Sequence, residues 1–109
     1  MKIPKPGTRV RGSRSGRPVM ALLDLLGRRW SLRVLWELRA GPLNFRDLRE
    51  RSGKLSPTIL NTRLAELRAA GVVDLGPAGY RLTDEGEKLA AILLPFHHWA
   101  ERWARRAAR

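Results

Sequence analysis

The chain has 109 residues, which is enough for one domain with a hydrophobic core but too few for two. Its 22 Lys and Arg residues outnumber 10 Asp and Glu residues, so the formal net charge is +12. Because such a surplus repels itself in a compact protein, it favours a partner with dense negative charge, chiefly nucleic acid or an acidic membrane surface. The chain contains no cysteine, which excludes disulfides, thiol redox sensing and cysteine-based zinc sites.

The segment that precedes the predicted fold is basic and has few apolar residues. Residues 1–17 hold six basic residues and no acidic one, so we expect a disordered arm. This arm either follows phosphates or enters a minor groove of DNA, or it is an inert leader. The chain lacks the apolar segment of a secretory signal and any run of the ~20 apolar residues that cross a bilayer. We therefore expect a soluble, cytoplasmic protein without a membrane partner.

The predicted folded domain covers residues 18–109 and opens with two helices. Residues 19–26 are almost wholly apolar, which predicts a short helix that is buried on most sides and ends at Gly27. Ser31 is suited to cap the second helix, because its hydroxyl can accept a hydrogen bond from an amide of the first turn. The inward-facing residues of this second helix are predicted to be Leu32, Leu35 and Leu38.

A helix-turn-helix is predicted from two further helices and the turn between them. Asn44 is a suitable cap for a short third helix, and residues 52–55 form a turn that contains Gly53. Ser56 and Pro57 then begin the fourth helix, since serine caps helices and proline suits the first helical position.

The fourth helix, residues 56–69, is predicted to have two different faces. Its buried stripe consists of Ile59, Leu60, Leu64 and Leu67. The opposite face is short, uncharged and able to form hydrogen bonds, and consists of Thr58, Asn61, Thr62 and Ala65. In a chain rich in arginine this face suggests a DNA recognition helix, and an ordinary amphipathic helix is the alternative.

The next segment predicts a β-hairpin. Residues 72–75 and 80–82 have the character of strands, and the turn between them, residues 76–79, contains two glycines and a proline. A two-stranded hairpin is not stable alone, so it must lie on the helices. The expected fold is therefore mainly α with a small two-stranded β-hairpin, the arrangement called a winged helix-turn-helix.

The last predicted helix, about residues 83–108, is capped by Thr83 and carries a long apolar stripe. A stripe of this length exceeds what a small domain can cover, which predicts a symmetric homodimer, and the alternative is a helix folded back on its own domain. Pro95 is expected to kink the helix. The predicted dimer-interface residues are Leu89, Ile92, Leu93, Phe96, Trp99 and Trp103.

The order of these elements resembles the HxlR-type winged helix-turn-helix transcriptional regulators, which are relatives of the MarR type. The matching residues are Leu26-Gly27-Arg28-Arg29-Trp30-Ser31, Gly41-Pro42, Phe45, Leu48, Ser56-Pro57, Leu60, Arg63-Leu64, Leu67, Gly71-Val72-Val73, Tyr80-Arg81-Leu82-Thr83 and Gly86. The resemblance covers about residues 18–103. It implies dimers, built largely from the terminal helices, that bind palindromic operator DNA with the helix at 56–69 in the major groove and the wing beside the backbone.

Two departures limit what the resemblance implies. Some members of the family sense oxidants through a cysteine just before the proline that starts the fold, and this chain has Arg17 there. That sensing mechanism therefore does not carry over. The wing is also shorter than the family pattern, with only residues 76–79 between its strands, which argues against insertion into a minor groove.

Base reading is assigned to Thr58, Asn61 and Thr62. Asn61 suits the paired donor and acceptor of adenine, and a threonine suits the methyl group of thymine. Each basic residue near these positions is either a phosphate contact or a solvated charge. The residues predicted to contact the DNA backbone are Arg46, Arg49, Arg51, Lys54, Ser56, Arg63 and Arg81.

Catalysis has little support in the sequence. His97 and His98 are neighbours on a predicted helix and point about 100° apart, so they do not face one metal or substrate. The chain has no glycine-rich phosphate loop and no nucleophile elbow, so no catalytic residue, metal site or cofactor is predicted. We predict a sequence-specific transcriptional regulator, with repression favoured over activation, and the alternative is an architectural or protein-interaction module that binds DNA without strong sequence specificity.

A small-molecule effector is a further predicted partner. Several aromatic residues could border a cavity between the core and the dimer helices, or they could fill the core and the dimer interface. These residues are Trp30, Trp36, Phe96, Trp99 and Trp103.

Overall fold

The computed structural model describes residues 17–108, which form five helices and one two-stranded antiparallel sheet. The elements are α1 (Pro18–Leu26), α2 (Ser31–Leu38), α3 (Phe45–Arg51), α4 (Pro57–Ala69), β1 (Val73–Gly76), β2 (Gly79–Leu82) and α5 (Asp84–Ala107). The predicted fold, mainly helical with a small hairpin wing, is confirmed. The predicted basic arm lies outside the described residues except for Arg17, which precedes α1.

The core lies between α1, α2, α3 and α4, with β1 along one side. The buried stripe predicted for α4 is confirmed for Leu60, Leu64 and Leu67, which are fully or almost fully buried, whereas Ile59 is half-buried against the core. Burying one leucine side chain contributes roughly 1.5–3 kcal/mol, so this stripe fixes which side of α4 faces inward. The remaining core residues include Leu25, Val34, Leu35, Leu38, Leu48, Leu55 and Val73.

Helix α1 is less buried than its apolar sequence predicts. Only Ala21 and Leu25 are buried, whereas Val19 and Leu23 are 53% and 55% exposed. The prediction of a helix buried on most sides is therefore wrong. Residues four apart lie on the same face of a helix, so α1 buries one face and leaves the other apolar and open.

Helix α2 buries a different stripe from the predicted one. Val34, Leu35 and Leu38 are buried, and Leu32 is 44% exposed. Each step of three residues turns by about 300° around a helix, so Leu32 and Leu38 lie about 120° apart and cannot share one narrow face. Val34 takes the core position that the prediction gave to Leu32.

Ser31 does not cap α2. The residue at the cap position is Trp30, whose backbone is left-handed with φ 76°, and Ser31 is the first helical residue. The Ser31 side chain is fully buried, and its hydroxyl has no hydrogen-bond partner among residues 17–108. The left-handed conformation costs roughly 1–2 kcal/mol for a residue with a side chain, and packing of Trp30 against the core offsets it.

The other three predicted caps are confirmed. The Asn44 side chain accepts a hydrogen bond from the Asp47 amide at 2.8 Å, and the Thr83 hydroxyl accepts one from Gly86 at 3.1 Å. The Ser56 hydroxyl accepts a longer bond, at 3.4 Å, from the amide of Ile59. These bonds satisfy amides that have no partner within their own helices.

The hairpin is attached to the helical body through residue 43. Strands β1 and β2 pair Val73 with Leu82 and Gly76 with Gly79, so the turn itself is Pro77-Ala78. Leu43, which precedes α3, exchanges two backbone hydrogen bonds with Tyr80 of β2, at 2.8 and 2.9 Å. The hairpin therefore receives the additional support that two strands need.

Helix α5 begins on the domain and continues beyond it. It runs without interruption through Pro95, and Leu89 packs, half-buried, against the core. Farther along, Phe96 and Trp103 are 67% and 60% exposed. Across the described range, 17–108, no helix combines the length and the apolar character that a membrane crossing requires.

Candidate DNA interface

The face of α4 opposite the core is open, and its first two turns carry no charge, whereas the exposed Arg68 lies at its C-terminal end. Thr58, Asn61 and Ala65 are exposed, and the Asn61 amide makes no hydrogen bond with the described part of the chain. Thr62 is half-buried, and its hydroxyl donates a hydrogen bond to the Thr58 carbonyl at 2.9 Å. The structure therefore brings the three predicted base-reading residues onto one face, where Asn61 retains its full donor and acceptor capacity.

The turn before α4 is held by Arg49. Gly53 and Lys54 both have left-handed backbones, with φ 81° and 57°, and together they reverse the chain. The Arg49 carbonyl accepts a hydrogen bond from the Lys54 amide at 3.0 Å, and the Arg49 side chain donates one through Nε to the Leu55 carbonyl at 2.7 Å. Arg49 thus fixes both sides of the turn, and only the outer nitrogens of its guanidinium remain for the predicted DNA contact.

Three other residues that are predicted to contact the DNA backbone lie around this turn. Arg46, Arg51 and Lys54 are exposed, and their side chains form no ion pair within residues 17–108. Ser56 lies at the N-terminus of α4, where backbone amides and the helix dipole favour an anion. We call these four residues, which lie on α3, in the turn and at the start of α4, the cationic rim.

Arg81 lies on the hairpin, separate from that rim. Its Nη2 is 3.3 Å from Asp74 Oδ2, and both side chains are half exposed. Exposed pairs of this kind contribute only about 0–1 kcal/mol, so a phosphate could replace Asp74 as the partner at little cost. The contact of Arg81 with DNA stays a prediction.

Arg63 faces into the protein. Its Nε donates a hydrogen bond to the Arg29 carbonyl at 2.7 Å, and its Nη1 lies 2.5 Å from Glu66 Oε1. The Arg63 side chain is only 15% exposed. Contact with the DNA backbone, which was expected for Arg63, would require breaking these bonds.

Sequence reasoning missed the buried carboxylate of Glu66. It is 2% exposed and also pairs with Arg28, whose Nη1 lies 2.6 Å from Glu66 Oε2. One signal was available: Glu66 follows Ile59 by seven residues, so both lie on nearly the same side of α4. No sequence signal identifies Arg28 as the partner, because it lies 38 residues away.

The residues of the predicted dimer interface fall into two groups. Leu89 packs against its own core, and Leu93 is half-buried beside α2, so these two residues are partly covered already. The remaining four lie 57–67% exposed, and their spacing of four, three and four residues gives one stripe along α5. This exposed stripe consists of Ile92, Phe96, Trp99 and Trp103.

An open groove of about 400 Å³ lies between α2 and α5. Trp36 and Phe96 line it, and the His97 ring stacks on Trp36 with a centroid distance of 5.0 Å. The other tryptophans lie elsewhere, because Trp30 packs against the core and Trp99 stacks on Trp103. Two of the five aromatic residues expected to border one cavity therefore do so.

The two histidines do not form a metal site with other residues. Their rings meet edge to face, with centroids 5.5 Å apart. Between residues 17 and 108 no group of three or more His, Cys, Asp or Glu side chains is placed to hold a metal ion.

Comparison with known proteins matches this arrangement to one family. A family model described as an HxlR-like helix-turn-helix matches residues 25–108. YvaP of Bacillus subtilis, an HTH-type transcriptional regulator, is 35% identical over 88 residues, which are 74% of this chain and 82% of YvaP.

Solved structures give the same result. The quinone-bound YodB of B. subtilis has a TM-score of 0.70 at 30% identity, over 77% of this chain and 96% of that one. A MarR-family transcriptional regulator from Enterococcus faecalis has a TM-score of 0.71 at 25% identity, over 94% of this chain and 99% of that one. With the family model spanning four helices and the wing, this chain belongs to the HxlR-like helix-turn-helix family of DNA-binding transcriptional regulators.

Proposed function

We propose that the protein is a sequence-specific repressor that binds a palindromic operator as a homodimer. The observation that carries this proposal is the open, uncharged polar face of α4 beside a cationic rim. A surface that only held phosphates would need cations throughout, whereas base edges are read by short polar and apolar side chains. In the bound state α4 lies in the major groove and the hairpin lies beside the backbone.

Two sets of residues have different roles in the proposed DNA binding. The cationic rim, Arg46, Arg51, Lys54 and Ser56, neutralises or hydrogen-bonds phosphates and supplies affinity that falls with salt. The open face reads bases. Asn61 pairs with the donor and acceptor of an adenine, and Thr58 and Thr62 contact thymine methyl groups.

Repression is proposed rather than activation for a physical reason. Occupying a promoter requires only that the protein bind DNA, whereas activation also requires a favourable contact with the transcription machinery. The alternative function is an architectural module that binds DNA without strong sequence specificity. Selection of bound sequences from random duplex DNA separates the two, because only a specific regulator enriches one motif.

The homodimer is supported by the exposed stripe of α5. Four large apolar side chains in one row form a patch that an isolated domain leaves in water, and a second copy buries it with the same patch. Two-fold symmetry would place the two α4 helices in successive major grooves, roughly 34–36 Å apart. A palindromic operator follows from that symmetry.

Phe96→Glu is expected to convert the dimer into a monomer. A carboxylate in the middle of a buried apolar interface is unpaired, and loss of such a central residue costs about 2–4 kcal/mol of association. Sedimentation at micromolar concentration measures the change. The matched control is Leu75→Glu on β1, which replaces a side chain that is 48% exposed but lies outside α5. A wild-type monomer at this concentration would contradict the dimer proposal.

The groove between α2 and α5 is the proposed binding site for a small-molecule effector. Trp36 and Phe96 present aromatic rings, and the relative YodB was solved in a quinone-bound form. Phe96 belongs both to this groove and to the exposed stripe, so a ligand there would alter the proposed dimer contact. The effector itself stays a prediction.

A further inference from the structure

The carboxylate of Glu66 is buried on the inner side of α4 between two guanidinium groups. Its Oε2 lies 2.6 Å from Arg28 Nη1, and its Oε1 lies 2.5 Å from Arg63 Nη1. The Glu66 side chain is only 3% exposed. A charge removed from water to this extent is stable only when it is paired and hydrogen-bonded, so both arginines are required where they are.

The contacts continue from Glu66 to the first helix and the loop after it. Arg28 Nη2 lies 3.1 Å from Asp24 Oδ2 of α1. Arg63 Nε donates a hydrogen bond to the Arg29 carbonyl at 2.7 Å. These directional bonds join the middle of α4 to α1 and to the segment that connects α1 with α2. Apolar packing alone allows small rotations and shifts of a helix, whereas charged hydrogen bonds fix distance and angle.

Of the residues in this network, Arg63 and Glu66 lie on α4, the proposed recognition helix. Arg63 lies at the edge of α4, about 100° around the helix from Thr62, and its side chain is 15% exposed. We expect a guanidinium released from Glu66 to extend from this edge toward a phosphate beside the groove. In the free protein it is held away from that position by two acceptor atoms, the Arg29 carbonyl oxygen and Glu66 Oε1.

We propose that Glu66 is a positioning residue that sets DNA specificity, an inference that rests on the proposed function. It fixes the orientation of α4, and so of Thr58 and Asn61, relative to the body of the domain. It also keeps Arg63 from adding a phosphate contact that is independent of sequence. The preference for one sequence over random DNA therefore depends on a residue that does not touch DNA.

The test is Glu66→Gln, with binding to the best selected duplex and to random duplex measured over a salt series. Glutamine keeps the shape of the side chain but removes the charge that holds Arg63. We expect affinity for random DNA to rise about three- to tenfold, with its salt dependence steeper by about one phosphate contact. We expect the ratio of specific to random binding to fall about tenfold. A simple loss of stability would lower both affinities together, so the opposite change in random binding identifies the proposed role.

Two further variants complete the experiment. Glu50→Gln on α3 removes an equally negative but exposed charge and releases no arginine, so its specificity ratio should stay at the wild-type value. Arg63→Gln leaves Glu66 paired with Arg28, and it should lower the specificity ratio without changing the salt dependence on random DNA.

The outcomes separate this inference from the proposed function. Wild-type protein that prefers no sequence would remove the proposed function. Wild-type preference with an unchanged ratio and salt dependence in Glu66→Gln would overturn the role of Glu66. A shallower salt dependence in Arg63→Gln would also overturn it, because Arg63 would then contact phosphate in the wild type. If Glu66→Gln does not fold, Arg63→Gln decides between these results.

Discussion

Gly86→Ala is expected to lower the free energy of unfolding by about 3 kcal/mol or more. Gly86 lies, buried, in the first turn of α5, and a Cβ at this position would be 2.0 Å from the Val72 carbonyl oxygen and 3.2 Å from Leu82 Cβ. The carbonyl cannot move away freely, because it accepts a hydrogen bond from the Thr83 amide at 3.1 Å. Overpacking usually costs about 1–3 kcal/mol, and backbone that cannot yield places this site at the upper end.

Gly76→Ala is the matched control for this prediction. A Cβ at Gly76 would be 2.8 Å from Arg81 Cζ, which is the far end of a flexible, exposed side chain. Arg81 can change rotamer at little cost, so the expected change is within about 0.5 kcal/mol. Denaturant unfolding of both variants measures the difference. Equal midpoints for the two variants would show that α5 does not pack against Val72 as described.

Asn61→Ala is expected to weaken operator binding by about 1–3 kcal/mol and to relax specificity at one position. The Asn61 amide is exposed and has no partner among residues 17–108, so its removal leaves the folded protein intact. Alanine also has the higher helix propensity, which excludes a loss of helix as the cause. Titration of labelled duplexes, one with the selected site and one of random sequence, measures the effect.

The matched control for Asn61 is Arg46→Ala, a variant of the cationic rim. It is expected to weaken binding to both duplexes alike and to reduce the salt dependence by about one phosphate contact. The difference between the two variants separates base reading from backbone attraction. An equal loss on both duplexes for Asn61→Ala would contradict the assignment of this residue to base reading.

Local rules were sufficient for much of the fold. The caps at Asn44 and Thr83 and the buried stripe of α4 depend on residues within a few positions of each other, so the sequence contains their whole cause. The hairpin was also predictable, with its strands displaced by about one residue. Its bond to Leu43 was not, because that contact joins segments 37 residues apart.

The sequence predictions were wrong where packing between elements decides which residues are buried and where a helix begins. Leu32 and Val34 are similar in hydrophobicity, and only the position of α2 against its neighbours makes one exposed and the other buried. Ser31 fits the rule for a cap, but Trp30 adopts a left-handed backbone and moves the helix start by one residue. On α5, Leu89 packs, half-buried, against the core of its own domain, and its place in a dimer interface stays a prediction.

The candidate site was predictable in type more than in detail. Composition and the polar face of α4 indicated DNA, and of that face Thr58, Asn61 and Ala65 are exposed as expected, whereas Thr62 is half-buried. The roles of individual arginines were not predictable. Arg46 and Arg63 look alike in the sequence, and only the buried Glu66 makes one of them structural. The charge pattern of a sequence predicts the sign of the surface charge, whereas the partner of each cationic side chain depends on the tertiary fold.

Selection of bound sequences from a pool of random duplex DNA tests sequence-specific binding by this protein most directly. We expect enrichment of one inverted repeat, with half-sites about 10 base pairs apart or a multiple of that spacing. The enriched duplex should bind at least about a thousandfold more tightly than random duplex at the same salt concentration. Binding that is tight and salt-dependent but enriches no sequence would contradict the repressor and favour the architectural alternative.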